Sequence, residues 1–241
     1  MTTLSTNTKI LVGLVALLGI VILFQLPLTW GHPAYGRFAG TLLVALLAAR
    51  LKVSLPRLTG SMSVNLPFIL LALSELSLAE ALLITAASTL AQCLYSESSQ
   101  QPIKTMFNVG VTLMAAQAAW LTMQATAPNS GLGLALGAVA YLLVNTIPVA
   151  AIIVLTENGH LFGIWRRILQ LTFPYFVLAA GVAGLAKLAT HAFAWYIPLL
   201  ILPLMFLVQR SFTLYFQALR ETTGQKSAYA MAAAGGGPRL I

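Results

Sequence analysis

Residues 53–110 read VSLPRLTGSMSVNLPFILLALSELSLAEALLITAASTLAQCLYSESSQQPIKTMFNVG, and the fold turns on this stretch. A basic, proline-broken approach carrying Arg50, Lys52, Pro56 and Arg57 leads into two apolar segments, 66–76 and 78–95. These fold against each other at Ser74 to Ser77, a polar loop follows, and the chain re-enters an apolar run at Phe107-Asn108. The first arm is too short to cross a hydrocarbon core of about 30 Å as a helix unless it begins near Ser63; otherwise it is re-entrant. The segments before this hairpin deliver the chain to one membrane face. Those after it complete a helical bundle.

Composition sets the class. Hydrophobic residues make up 59% of the chain, charged residues 7%, and the mean hydropathy is +0.89, far too little charge for a soluble domain. All five acidic residues are glutamate. The absence of aspartate argues against kinases, cyclases, aspartyl proteases and HD-type phosphohydrolases. The net charge of +8 does not point to nucleic acid, because the basic residues stand at the ends of apolar runs, as membrane topology signals do. The single cysteine, Cys93, precludes an internal disulfide.

Outward from the hairpin, Lys9 precedes the apolar run 10–28, an uncleaved first span, since only Trp30-Gly31-His32-Pro33 follows where a cleavage site would stand. Run 38–51 closes on Arg50, and 103–123, 131–155, 169–188 and 195–215 supply four further crossings. The fold expected is an all-α polytopic membrane bundle of seven or eight segments over residues 1–220, with a small-residue, low-complexity cytoplasmic tail over 221–241. With both termini cytoplasmic, Lys9, Arg50, Lys52, Arg57, Lys104, Arg166, Arg167, Arg210, Arg220, Lys226 and Arg239 fall inside, and only Arg37 and Lys187 outside. Residues 160–170, HLFGIWRRILQ, read as an interfacial helix with Trp165 at headgroup level and Arg166 and Arg167 towards anionic lipid; a basic inner loop is the alternative.

Few residues invite chemistry. Ser77-Leu-Ala-Glu80 is an S-x-x-E capping box, which accounts for Glu80 without invoking function. Glu75, two residues before the cap, either sits among outer headgroups or turns inward as a binding group. Asn65, Gln92, Asn108, Gln117 and Asn145 lie at or within apolar segments, where an unpaired amide costs several kcal/mol, so each bonds across helices or lines a cavity. Asn145 stands out because Pro148 follows it and frees backbone carbonyls in the same helix. Candidate ligand or interhelical polar residues are therefore Glu75, Asn108 and Asn145. Gly133 and Gly137, and Ala180 and Gly184, form small-x-x-x-small pairs that suit helix packing or dimerisation equally. No catalytic motif, cofactor-binding motif or metal-ligand spacing is present in the chain.

With these residues in view, the chain resembles the N-terminal multi-span MASE-type membrane sensor regions of bacterial HD-GYP and GGDEF signalling proteins. The likeness rests on Leu55-Pro56 through Leu76, Phe107-Asn108, Asn145 with Trp165-Arg166-Arg167, and Pro203-Leu204 through Leu219. In such proteins the exit helix leads into an output domain, and no such domain follows here. The resemblance thus implies a sensor-like module of the bacterial inner membrane without cyclic-dinucleotide chemistry, binding a small ligand, lipid or partner helix and signalling through residues 211–220 to a membrane or cytoplasmic protein. The layout also looks like the substrate-binding S components of energy-coupling-factor transporters. A structural subunit of a larger membrane complex is the third expectation.

Overall fold

Where no water reaches the backbone, each segment must satisfy its own N–H and C=O groups, and helices dominate accordingly. The structure, a computed structural model, describes residues 5–29, 35–54, 61–95, 102–128, 130–157, 159–193 and 197–235. Trp30, His32, Leu55-Pro56, Arg57, Gly60, Trp195 and Arg239 lie outside them. Helices α1 (Thr6–Leu23), α2 (Leu26–Thr29) and α3 (Tyr35–Ala48) come first. A two-stranded antiparallel ribbon follows, β1 (Lys52–Ser54) and β2 (Ser61–Ser63), pairing Lys52 with Ser63 and Ser54 with Ser61. The ribbon qualifies the all-α expectation, because strands of three residues are too short to leave a readable alternation. Then come α4 (Leu66–Glu75), α5 (Leu78–Leu94), α6 (Pro102–Thr126), α7 (Gly131–Glu157), α8 (Leu161–Phe193) and α9 (Ile197–Gly235).

Five of these helices, α1 and α6 to α9, are long and apolar enough to cross a membrane. The chain is a multi-pass helical membrane protein on that count. Helices α3, α4 and α5 are shorter; the ten residues of α4 rise about 15 Å, half of a hydrocarbon core of about 30 Å. Residues 160–170 do not form a helix of their own. No glycine or proline falls between Gly163 and Pro174, so the Trp165 segment is the first part of α8, which runs unbroken to Phe193. Its 33 residues rise about 50 Å, so one end extends beyond the hydrocarbon. Likewise α9 passes through residue 220 and ends at Gly235, so the tail expected from 221 begins inside a helix.

Burial reverses the usual arrangement of a short surface helix. Every residue of α4 from Leu66 to Leu73 is buried, and α3, α5, α6, α7 and α8 surround it. A helix apolar on all sides belongs inside, and α4 is the core of this bundle. The surrounding helices turn large apolar side chains outward: Ile10, Leu14 and Leu17 on α1, Leu185 and Leu188 on α8, Leu200 and Leu207 on α9. Such a surface fits lipid and not water. Arg50, just past α3, donates to the Tyr95 hydroxyl at 3.0 Å, with its guanidinium 4.6 Å from the ring centre. This contact brings the ends of α3 and α5 together, so α4 and α5 run into the bundle and back out.

Small residues set the helix spacing. A Cβ on Gly110 would lie 2.6 Å from the Val15 carbonyl oxygen, and one on Gly19 would lie 2.8 Å from Gly110 Cα. Helices α1 and α6 therefore touch backbone to backbone, a contact that residue spacing within either helix does not reveal. Of the Gly133/Gly137 pair, Gly137 faces α6, where a Cβ would meet Met123 at 2.7 Å and the Ala119 carbonyl at 3.0 Å. That residue serves packing within the chain. Replacing Gly110 with alanine forces α1 away from α6 and is expected to lower the unfolding free energy by about 1–3 kcal/mol in bicelles. The same change at exposed Gly13, with nothing within 4 Å of its Cβ, should shift it by less than about 0.5 kcal/mol.

Candidate functional site

A helix buried from its first residue has no solvent for its leading N–H groups, and α4 resolves this with a partner far along the chain. The Leu66 N–H donates to the Tyr175 hydroxyl at 3.2 Å, Pro67 has no N–H, and Phe68 N–H reaches the Asn65 carbonyl at 3.1 Å. Asn65 stands at the cap position, yet its side chain does not cap. Its amide donates instead to Ser88 Oγ on α5 at 3.1 Å, both groups being buried. Sequence reading placed Asn65 among the interhelical amides. It had no means of assigning the cap to Tyr175.

At the other end the chain reverses between Glu75 and Ser77. Ser77 caps α5, and both halves of the capping box are formed: Glu80 N–H donates to Ser77 Oγ at 3.4 Å, and Ser77 N–H donates to Glu80 Oε2 at 3.0 Å. The Ser77 hydroxyl also donates to Oε2 at 2.7 Å, while the other oxygen, Oε1, is buried without a partner among the described residues. Ser74 Oγ donates back to the Leu71 carbonyl at 3.0 Å, so its hydroxyl is satisfied within the last turn of α4.

A cavity of about 210 Å³ borders this turn. Leu73, Ser74, Glu75 and Leu76 form one wall, and Trp120, Met123, Gln124 and Ala127 at the end of α6 form another. Ser130 just before α7, Leu134 of α7 and Lys187 of α8 complete it. Glu75 is the last residue of α4, where the helix already gathers partial negative charge. A carboxylate there is unfavourable by itself, and Lys187 supplies the opposite charge in the same cavity. On α6, Gln117, Trp120 and Gln124 recur at helical spacing; Gln117 Oε1, about one turn deeper than Trp120, is buried and without a partner among the described residues. Among the described residues no three metal-ligating side chains come together. The chemistry on offer is one carboxylate, one ammonium, amides, hydroxyls and an indole.

The other sequence candidates lie elsewhere. Asn108 is exposed, near the start of α6, with its amide 3.8 Å from Cys93 Sγ. Asn145 is half-buried in α7 and lines no part of the cavity. Its neighbour Thr146 accepts from the Trp165 indole N–H at 3.1 Å, tying the head of α8 to α7, while Arg166 and Arg167 are exposed. Of Glu75, Asn108 and Asn145, only Glu75 is at the cavity. Its partners there, Trp120, Gln124 and Lys187, were missed as site residues. Two signals existed: the spacing of Gln117, Trp120 and Gln124, and the position of Lys187 as one of just two cations on the minority side.

Tyr175 leads away from the hairpin. Its ring meets Phe212 of α9 edge-on at 6.2 Å and Phe176 at 6.0 Å; Phe176 in turn lies 6.0 Å from Tyr141 of α7. Phe212 continues to Phe216 at 5.9 Å and Phe216 to Tyr215 at 5.6 Å. A ladder of aromatic rings thus connects the head of α4 to the outgoing helix. No known protein family, curated protein or solved structure matches this chain.

Two substitutions check these assignments. Tyr175→Phe keeps the ring contacts but strands the Leu66 N–H, and should cost about 1–3 kcal/mol in equilibrium unfolding from bicelles. Ser77→Ala removes the α5 cap and should cost about 1 kcal/mol in the same measurement.

Proposed function

We propose that this chain is a non-enzymatic membrane module that binds a small ligand at the closed end of the α4–α5 hairpin and reports occupancy through α9. One observation carries the reading: Tyr175 holds the first N–H of α4 with its hydroxyl while its ring rests against Phe212 of α9. Helix α4 is a short rod with the cavity at one end and Tyr175 at the other. A ligand that shifts Glu75 moves the rod, and the aromatic ladder carries that movement into the 211–220 segment. There a membrane or cytoplasmic partner would read it. This is the role implied by the resemblance to MASE-type sensor regions.

In this reading the chain has seven or eight membrane segments and both termini on the cytoplasmic side of a bacterial inner membrane. Charge supports the orientation. Lys9, Lys104, Arg166 and Arg167 stand at the starts of α1, α6 and α8, at one end of the bundle. Arg37 and Lys187 stand at the other. The cavity then opens towards the outside. That location also favours a second reading, a substrate-binding component of a small-solute importer. Native-nanodisc purification with mass spectrometry separates the two: a stoichiometric energising partner belongs to the importer.

Coupling is testable without knowing the ligand. Ala127→Trp, or Leu134→Trp within α7, fills the cavity and imitates occupancy. Spin labels at exposed positions 103 and 214, in a Cys93→Ser background, should show a changed distance distribution by pulsed electron resonance. Adding Phe212→Ala should abolish the change. A filled cavity that leaves the distance unchanged in a folded protein overturns the sensor reading.

A further inference from the structure

The cavity's lining narrows the class of ligand, given the ligand site proposed above, on which this inference rests. The whole chain carries 13 cationic and five anionic side chains. At this cavity one of each sign lines the same space of about 210 Å³, Glu75 from the α4 terminus and Lys187 from α8. A ligand of a single sign would meet one of these two groups as a like charge, a repulsion that lowers its affinity. A molecule that is dipolar but neutral overall meets both. The remaining walls agree: Trp120 offers a π-face that attracts an ammonium, Gln124 an amide, and Leu73 and Leu134 an apolar floor. The buried, unpartnered Gln117 Oε1 places a further acceptor on the same stripe of α6. At about 210 Å³ the cavity is modest beside ordinary ligand pockets, so the ligand is small.

We propose that this cavity binds a compact zwitterion, an oxyanion directed to Lys187 and an ammonium held between Glu75 and the Trp120 ring. Two sources present this chemistry: a free amino acid or betaine, and the headgroup of phosphatidylethanolamine. Both unite an ammonium and an oxyanion a few bonds apart.

The test uses the full chain, delipidated in detergent, titrated calorimetrically with L-alanine, L-glutamine and glycine betaine. Acetate and propylammonium serve as singly charged controls. A second arm compares thermal unfolding in nanodiscs of phosphatidylethanolamine and of phosphatidylglycerol. If the source is free, at least one zwitterion binds at least about tenfold more tightly than either control. Glu75→Gln and Lys187→Met then each weaken it by about tenfold or more, while Lys187→Arg retains it. If the source is lipid, the midpoint is higher in phosphatidylethanolamine, and both charge-removing variants erase the difference. The proposal is overturned if a singly charged control binds best, if the variants bind or melt as the wild type does, or if neither arm responds. The distance measurement between positions 103 and 214 keeps the two ideas apart. A control ion that binds and shifts the distance overturns the zwitterion and leaves the sensor. A zwitterion that binds without any shift overturns the sensor and leaves the ligand class.

Discussion

The bond between the Leu66 N–H and the Tyr175 hydroxyl expresses the constraint on which the bundle depends. Placing a short helix at the centre of a membrane protein buries the ends of that helix, and each end carries polar groups that the surroundings cannot solvate. Helix α4 meets the requirement with Pro67, which has no N–H to satisfy, with local bonds to the Asn65 carbonyl, and with one hydroxyl from α8. The Asn65 side chain is thereby released to bond Ser88 and join α4 to α5. Without Tyr175, the helix most enclosed by protein would be the one least satisfied.

Packing around α4 follows from the same economy. Threonine and serine hydroxyls mostly return to carbonyls within their own helices, as Thr85 does to Ala81 and Thr172 to Ile168, so they add little between helices. Bonds that do join helices among the described residues include Leu66 to Tyr175, Asn65 to Ser88, Thr89 to Thr112 and Trp165 to Thr146. Close contact is left to glycine and alanine. Gly19, Gly110 and Gly137 bring α1, α6 and α7 near enough for dispersion forces to hold them, in a medium that gives no hydrophobic drive for helix association.

The closed end of the hairpin concentrates what polarity remains. Glu80 is consumed by its cap on α5, whereas Glu75 belongs to the cavity wall together with Lys187. Two glutamates five residues apart thus have different structural roles, because one begins a helix and the other ends one. A carboxylate complements the exposed N–H groups at a helix start and opposes the free carbonyls at a helix finish. The aromatic ladder from Tyr141 to Tyr215 gives the enclosed hairpin a packed connection to α9.

Much of this protein was determined by its sequence alone: the membrane class, the helical build, the short paired segments at 66–95 and the Ser77–Glu80 cap. Each of these depends on hydropathy over one segment or on groups three residues apart, and such terms are local. Tertiary structure alone decided that α4 would be the core, that Tyr175 would cap a helix 109 residues earlier, and that Gly19 would meet Gly110. It likewise decided which of the polar candidates share a cavity, joining Glu75 to Lys187 and leaving Asn108 and Asn145 apart. Among lipid-compatible helices, hydropathy says that a residue belongs in the membrane and not which neighbour it faces. That choice is made by steric fit and by the pairing of the few polar groups, which segments distant in the chain settle only by coming together.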